Sequence, residues 1–167
     1  MRRLAVLLAV LAGGTVPALA ASPPKPKLPV PLPLTGSATA VAAPTTAGAR
    51  PVALTLKLRY EMQCGRPGPG PLVVSLPAAE RVPHTIVRGS VLVDGKPPAS
   101  ASVTGHVIVL TLPPQRGVIC MVIGPGTLTA VFTRAAGLGN PAVAGSYPIA
   151  VRIGARAFTP HLTVTAG

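Results

Sequence analysis

The 167 residues carry 15 Lys+Arg against 3 Asp+Glu, a formal charge of +12, with 22 prolines, 18 glycines, two cysteines and no tryptophan. That length suits one ordinary domain plus processing segments, and three acids (Glu61, Glu80, Asp94) are too few for paired-carboxylate catalysis or a hard-metal cage. The aromatics are Tyr60, Phe132, Tyr147 and Phe158, so aliphatic side chains must fill the core.

Residues 1–20 read as an export signal. Arg2-Arg3 form a positive start, Leu4 to Leu11 an apolar run, and Ala18-Leu19-Ala20 a small-residue cleavage site. The run is too short to span a bilayer, and no second transmembrane candidate follows. Export places the mature chain outside the cell or in the wall, with a charge of about +10 once Arg2 and Arg3 are removed.

Residues 21–50 read as a disordered Pro/Ala-rich linker. Six prolines fall between Ser22 and Pro33, a polyproline-type spacer, and the small uncharged run SATAVAAPTTAGA follows. Leu32 to Gly36 spells LPLTG, the form of a wall-sorting signal. It stands at the wrong end, with no apolar span and basic tail behind it, and is read as chance.

From 51 to 167 the pattern is β. Val52 to Cys64 alternates without a break, putting Val52, Leu54, Leu56, Leu58, Tyr60, Met62 and Cys64 on one side. Further strands are expected at Leu72–Leu76, Ser90–Val93, Ala101–Val103, His106–Leu112, Val118–Ile123 and Gly126–Thr133. Asp94-Gly95 suits a tight hairpin turn. Ala135 to Tyr147 is a punctuated corner: Gly137, Gly139 and Gly145 supply backbone freedom, and Asn140-Pro141 initiates a turn. It runs into one strand, Tyr147 to Ile153, with Ile149, Val151 and Ile153 on the apolar face; a last strand covers Phe158 to Thr165. These seven to nine short strands, with regular turn signals and no helical period outside the leader, imply an antiparallel β-sandwich.

Cys64 and Cys120 in an exported chain are expected to form a disulfide between the two sheets of an immunoglobulin-like sandwich. Closing a loop of about 56 residues stabilises by roughly 4 kcal/mol on the chain-entropy estimate.

Taken together, SVLVDGK, SVTGHVIVLTLP, TLTAVFT and AAGLGNPAVAGSYPIAVRI, between Ser90 and Ile153, resemble immunoglobulin-like modules of bacterial S-layer and other cell-surface proteins. Asp94-Gly95 stands where those modules usually have Asn-Gly, and Gly137, Asn140, Pro141, Gly145 and Tyr147 stand in their loop positions. The chain carries one copy, and two cysteines that most such modules lack. The resemblance implies a structural or adhesive role at the cell envelope and brings no catalytic residues or cofactor.

The chemistry-bearing residues are sparse. His84, His106 and His161 have no ligand spacing, so no metal is expected. Ser75, Ser90 and Ser102 read as strand and turn residues, outside any nucleophile elbow, and Asp94 as a turn former. No enzyme activity is expected; an unrecognised site would need Glu61, Glu80 or Asp94 beside a histidine. The basic excess offers an alternative role. Lys57, Arg59 and Arg152 face outward and would form one anion-binding face for teichoic acid, acidic glycan or lipid head groups if their strands were sheet neighbours. Nucleic acid is a poorer partner, because exposed stacking aromatics are missing. The intact mass of the exported protein is expected to begin at Ala21 and to lie about 2 Da below the reduced value; an unchanged mass on reduction would remove the disulfide.

Overall fold

A computed structural model describes residues 36–62, 70–112 and 124–167. Uninterrupted alternation makes Ala53–Met62 (β2) the spine of the first sheet: Leu54, Leu56 and Leu58 are fully buried while Lys57 and Arg59 are exposed. Antiparallel to it on one side runs Gly124–Phe132 (β7), with Leu58 opposite Leu128 and Leu54 opposite Phe132. Beyond β7 lies the short Val91–Val93 (β4).

The other neighbour of β2 was expected to be disordered. Gly36–Ala43 (β1) pairs with β2 along its whole length, so the linker reading of 21–50 fails from Gly36 onward. The physical reason is steric. Ala38, Ala40 and Ala42 stand opposite Leu58, Leu56 and Leu54, and small side chains beside large ones fill the layer evenly. Alanine has little β-propensity of its own, so the segment carries no strand signal apart from its partner.

The second sheet has the order β10-β9-β3-β6-β5. Its strands are Arg156–Phe158 (β10), Ala150–Ile153 (β9), Leu72–Ser75 (β3), Val107–Thr111 (β6) and Ser100–Thr104 (β5). Leu72, Val74, Ile108, Leu110, Val151 and Ile153 turn inward and join the inward residues of the first sheet in a single core. The fold is all-β with antiparallel sheets, the two larger ones enclosing one apolar layer and a third having only two strands. At its tight turns, Asp94 and Gly95 both have positive φ (50° and 77°), the requirement of a type I′ turn, and Val93 and Lys96 exchange both backbone bonds across them.

Tyr147 to Ile153 is two strands, not one. Gly145–Pro148 (β8) pairs with His161–Val164 (β11), while β9 pairs with β10 and β3. The register is continuous across the break: Phe158 faces Val151 and His161 faces Pro148. A single long hairpin therefore bends at Pro148 and Pro160, each lacking the N–H that would continue the ladder. Ile149 N–H donates to Pro160 O at 2.9 Å in the bend, and the buried Ile149, Val151 and Ile153 keep the expected apolar face. The last strand is likewise divided, with Phe158 in β10 and Leu162 and Val164 in β11.

The expected strand at Val118–Ile123 and both cysteines lie outside the described residues. The strands nearest the cysteines in sequence, β2 and β7, are partners in one sheet rather than members of opposite sheets.

Leu56 sits between Ala40 and Ala130 in the register, so neither neighbour can fill a void there. Leu56→Ala is expected to cost about 2–5 kcal/mol, read as a lowered urea midpoint with unchanged m-value.

Candidate functional site

The face proposed from sequence does not assemble. Lys57 and Arg59 lie on the outer side of the four-stranded sheet, and Arg152 on the outer side of the five-stranded one. The two sheets are stacked about 10 Å apart, and both stand between Arg152 and the other two. Lys57 is flanked by Thr39 and Thr129, and Arg59 by Ser37 and Thr127. Asp94 Oδ1 accepts from Thr129 N–H at 2.8 Å, which brings one of the few acids to the same row as Lys57. That side is a mixed, hydroxyl-rich surface rather than a cationic one.

The residues that do converge belong to the corner loop. After the 3₁₀ turn Arg134–Ala136, Gly137 takes φ +73°. Of the three loop glycines read as needing special angles, only Gly137 has positive φ. Gly139 is required by close approach: Arg50 Cβ and Cγ would lie 3.3 Å from an added Cβ. Gly145 lies under the ring of Tyr147, whose Cε2 would be 3.4 Å away, and the Tyr147 hydroxyl donates to Val143 O at 2.8 Å.

Asn140 is a buried anchor rather than a turn initiator, only 1% exposed. Its Nδ2 donates to Pro44 O and Thr46 O, both at 2.9 Å, and its N–H donates to Ala49 O. Gly48 N–H bonds Pro141 O, and Val52 N–H bonds Leu138 O. Five hydrogen bonds thus tie residues 138–141 to 44–52, the end of the segment expected to be a spacer. Pro141 is buried with it. The sequence signal was present in the cluster Gly139-Asn140-Pro141, but its partners are about 90 residues away.

A third segment meets the same corner. Arg81 and Gly139 exchange both backbone bonds at 3.0 Å as an antiparallel bridge. Arg81 is exposed there, and the stem of Arg50 lies against Gly139. The preceding residue, Glu80, is 2% exposed, and neither carboxyl oxygen has a hydrogen-bond partner among the described residues. Burial pushes its pKa up from 4.5 to about 7.

Two other polar candidates meet at the surface. Ser146 Oγ and His161 Nδ1 are 3.2 Å apart on the exposed β8–β11 pair, a contact the sequence spacing did not reveal. No carboxylate bonds the other ring nitrogen of His161 among the described residues, so nothing orients the ring as a base. His106 closes the β5–β6 turn and His84 is exposed in the loop before β4. Among the described residues no three His, Cys, Asp or Glu side chains gather as a metal site.

No family model matches the sequence, and no curated protein matches it. Among solved structures, the chain is similar to that of BslA, described as a bacterial hydrophobin, at 14% identity and a TM-score of 0.49. The match covers 80% of this chain and 100% of that one.

Asn140→Ala removes the donor for two carbonyls at once and is expected to cost about 1–3 kcal/mol. Gly145→Val, which adds a branched side chain against the Tyr147 ring at an exposed position, is expected to cost less. Both are read by thermal melting, and an unaltered melting temperature for Asn140→Ala would remove it as an anchor.

Proposed function

We propose that this chain is an exported, non-catalytic protein of the cell envelope, an immunoglobulin-like sandwich with a structural or adhesive role. The observation that carries the reading is the build of its two outer faces. Ser37, Thr39, Thr55, Thr127 and Thr129 line one side, and Ser100, Ser102, Thr104 and Thr111 the other, giving two broad hydroxyl-bearing surfaces on a chain that begins with an export-type leader. Such faces suit extended contact with a polymer or a neighbouring protein.

Two features support the immunoglobulin-like part of the reading. The strand order β1-β2-β7-β4 opposite β10-β9-β3 parallels the A-B-E-D and G-F-C sheets of that architecture. The Tyr147–Val143 bond, just before β9, has the form of its tyrosine corner. The hairpin β5–β6, added beyond β3, is a departure. No described helix is long and apolar enough to cross a membrane.

A second reading, binding of an anionic wall polymer, moves from the sheet face to the corner, where the exposed Arg81 pairs through its backbone with Gly139 and the stem of Arg50 lies against the same glycine. Sedimentation with isolated cell wall separates the two readings. Binding retained in about 0.5 M salt supports packing and hydroxyl contacts, whereas binding lost there and in Arg50→Ala/Arg81→Ala supports charge. Recovery of the protein only from the cytoplasmic fraction would overturn both.

A further inference from the structure

Glu80, one of the chain's three acids, is 2% exposed and has no hydrogen-bond partner among the described residues, and that needs a physical account. A carboxylate taken out of water without a counter-charge or donors is among the costliest groups a fold can hold. Asn140 carries the complementary anomaly: its Nδ2 is fully used, while its Oδ1 is buried and unbonded among the described residues.

The two anomalies are one feature. Because Arg81 and Gly139 form a doubly bonded antiparallel pair, the next pair along is Glu80 opposite Asn140. Directly opposed residues share a face, at a Cα separation of about 4.5 Å for the non-bonded pair. Arg81 is exposed on one side of this bridge, and Glu80 and Asn140 are buried on the other. Glu80 Oε1 and Oε2 and Asn140 Oδ1, each without a hydrogen-bond partner among the described residues, thus belong to two residues that the register of the bridge sets opposite each other. A divalent cation would want six to eight oxygens and more charge than one carboxylate supplies. A proton needs one donor and one acceptor.

We infer that Glu80 is held as a neutral carboxylic acid whose O–H donates to Asn140 Oδ1, making the corner a proton-dependent latch on the 44–50 segment. When the proton leaves, carboxylate and amide oxygen repel, and the Asn140 amide turns its Nδ2 toward Glu80. The carbonyls of Pro44 and Thr46 then lose their donor, and the segment is released from the 138–141 loop. Protonated, Asn140 bridges all three segments; ionised, it can serve only two.

The charged and titratable groups on the segments that meet here are Arg50, Arg81, His84 and Arg134, all exposed. None bonds the carboxyl, and burial is the only cause of its raised pKa. The folded value near 7 exceeds the unfolded 4.5, so the native state holds the proton more tightly. Folding is therefore favoured most below about pH 4.5, less so as pH rises towards 7, and gains nothing from this group above it.

Amide hydrogen exchange by NMR on the full chain tests the latch. After correction for intrinsic pH dependence, protection of the Gly48 amide, which bonds Pro141 O, is expected to fall at least about tenfold between pH 6 and 8, while Leu56 and Leu128 keep theirs. In Glu80→Gln, whose amide donates at every pH, the fall should vanish. Loop protection that does not change with pH, or a Glu80→Gln profile like that of the native chain, would overturn the inference. Should the variant fail to fold, a carboxyl ¹³C titration of the native protein decides: a Glu80 midpoint near 7 supports the latch, and one near 4.5 removes it.

Discussion

Asn140 has four hydrogen-bonding sites on one short side chain, and it is buried where three remote segments of the chain come together. Two of its bonds go to the carbonyls of Pro44 and Thr46, and its backbone N–H holds Ala49. Without that donor those two carbonyls would lose their protein partner, so β1 could lie along β2 only if its exit were held some other way. The first sheet gains its edge strand because the loop after β7 supplies that donor. Thr165 N–H donates to Thr45 O and Ala47 N–H to Thr165 O, so the end of the final strand closes on the same segment.

The corner therefore has a structural consequence larger than a change of direction. It joins the 44–50 segment, the loop holding Glu80, and the bent hairpin that begins at Gly145. The Tyr147 hydroxyl on Val143 fixes how that hairpin leaves the loop, and Pro148 and Pro160, one on each strand, let it change partners in mid-course. An apolar core of leucine, valine and isoleucine supplies most of the driving force in such a sandwich. It is non-directional, however, and would tolerate several placements of β1. The directed bonds of Asn140 select one.

The same logic bears on where function can reside. The basic residues are distributed over both outer faces and the loops, and the three that seemed to share a surface are divided by the thickness of the sandwich. Charge in this chain is a general property of the surface, while the unusual local chemistry is acidic and internal. Glu80 is also the one described group whose ionisation falls near neutrality through burial.

Period-two alternation determined β2, β3, β6 and β7, because one buried face imposes that spacing on side chains regardless of what covers it. Turn chemistry determined Asp94-Gly95, since only residues tolerant of positive φ fit there. Tertiary structure alone decided β1, whose alanines are strand-forming only beside Leu54, Leu56 and Leu58. It also decided the division of Tyr147–Ile153, where pairing partners rather than local pattern change, and the separation of Lys57 and Arg59 from Arg152, because alternation tells which way a residue faces within a sheet and not which sheet it is in. The candidate site was legible only as residue types: Gly139, Asn140 and Pro141 stood out as a turn, and Glu80 as an isolated acid. That they meet follows from the Arg81–Gly139 bridge, a contact between residues 58 positions apart with no local sequence signature.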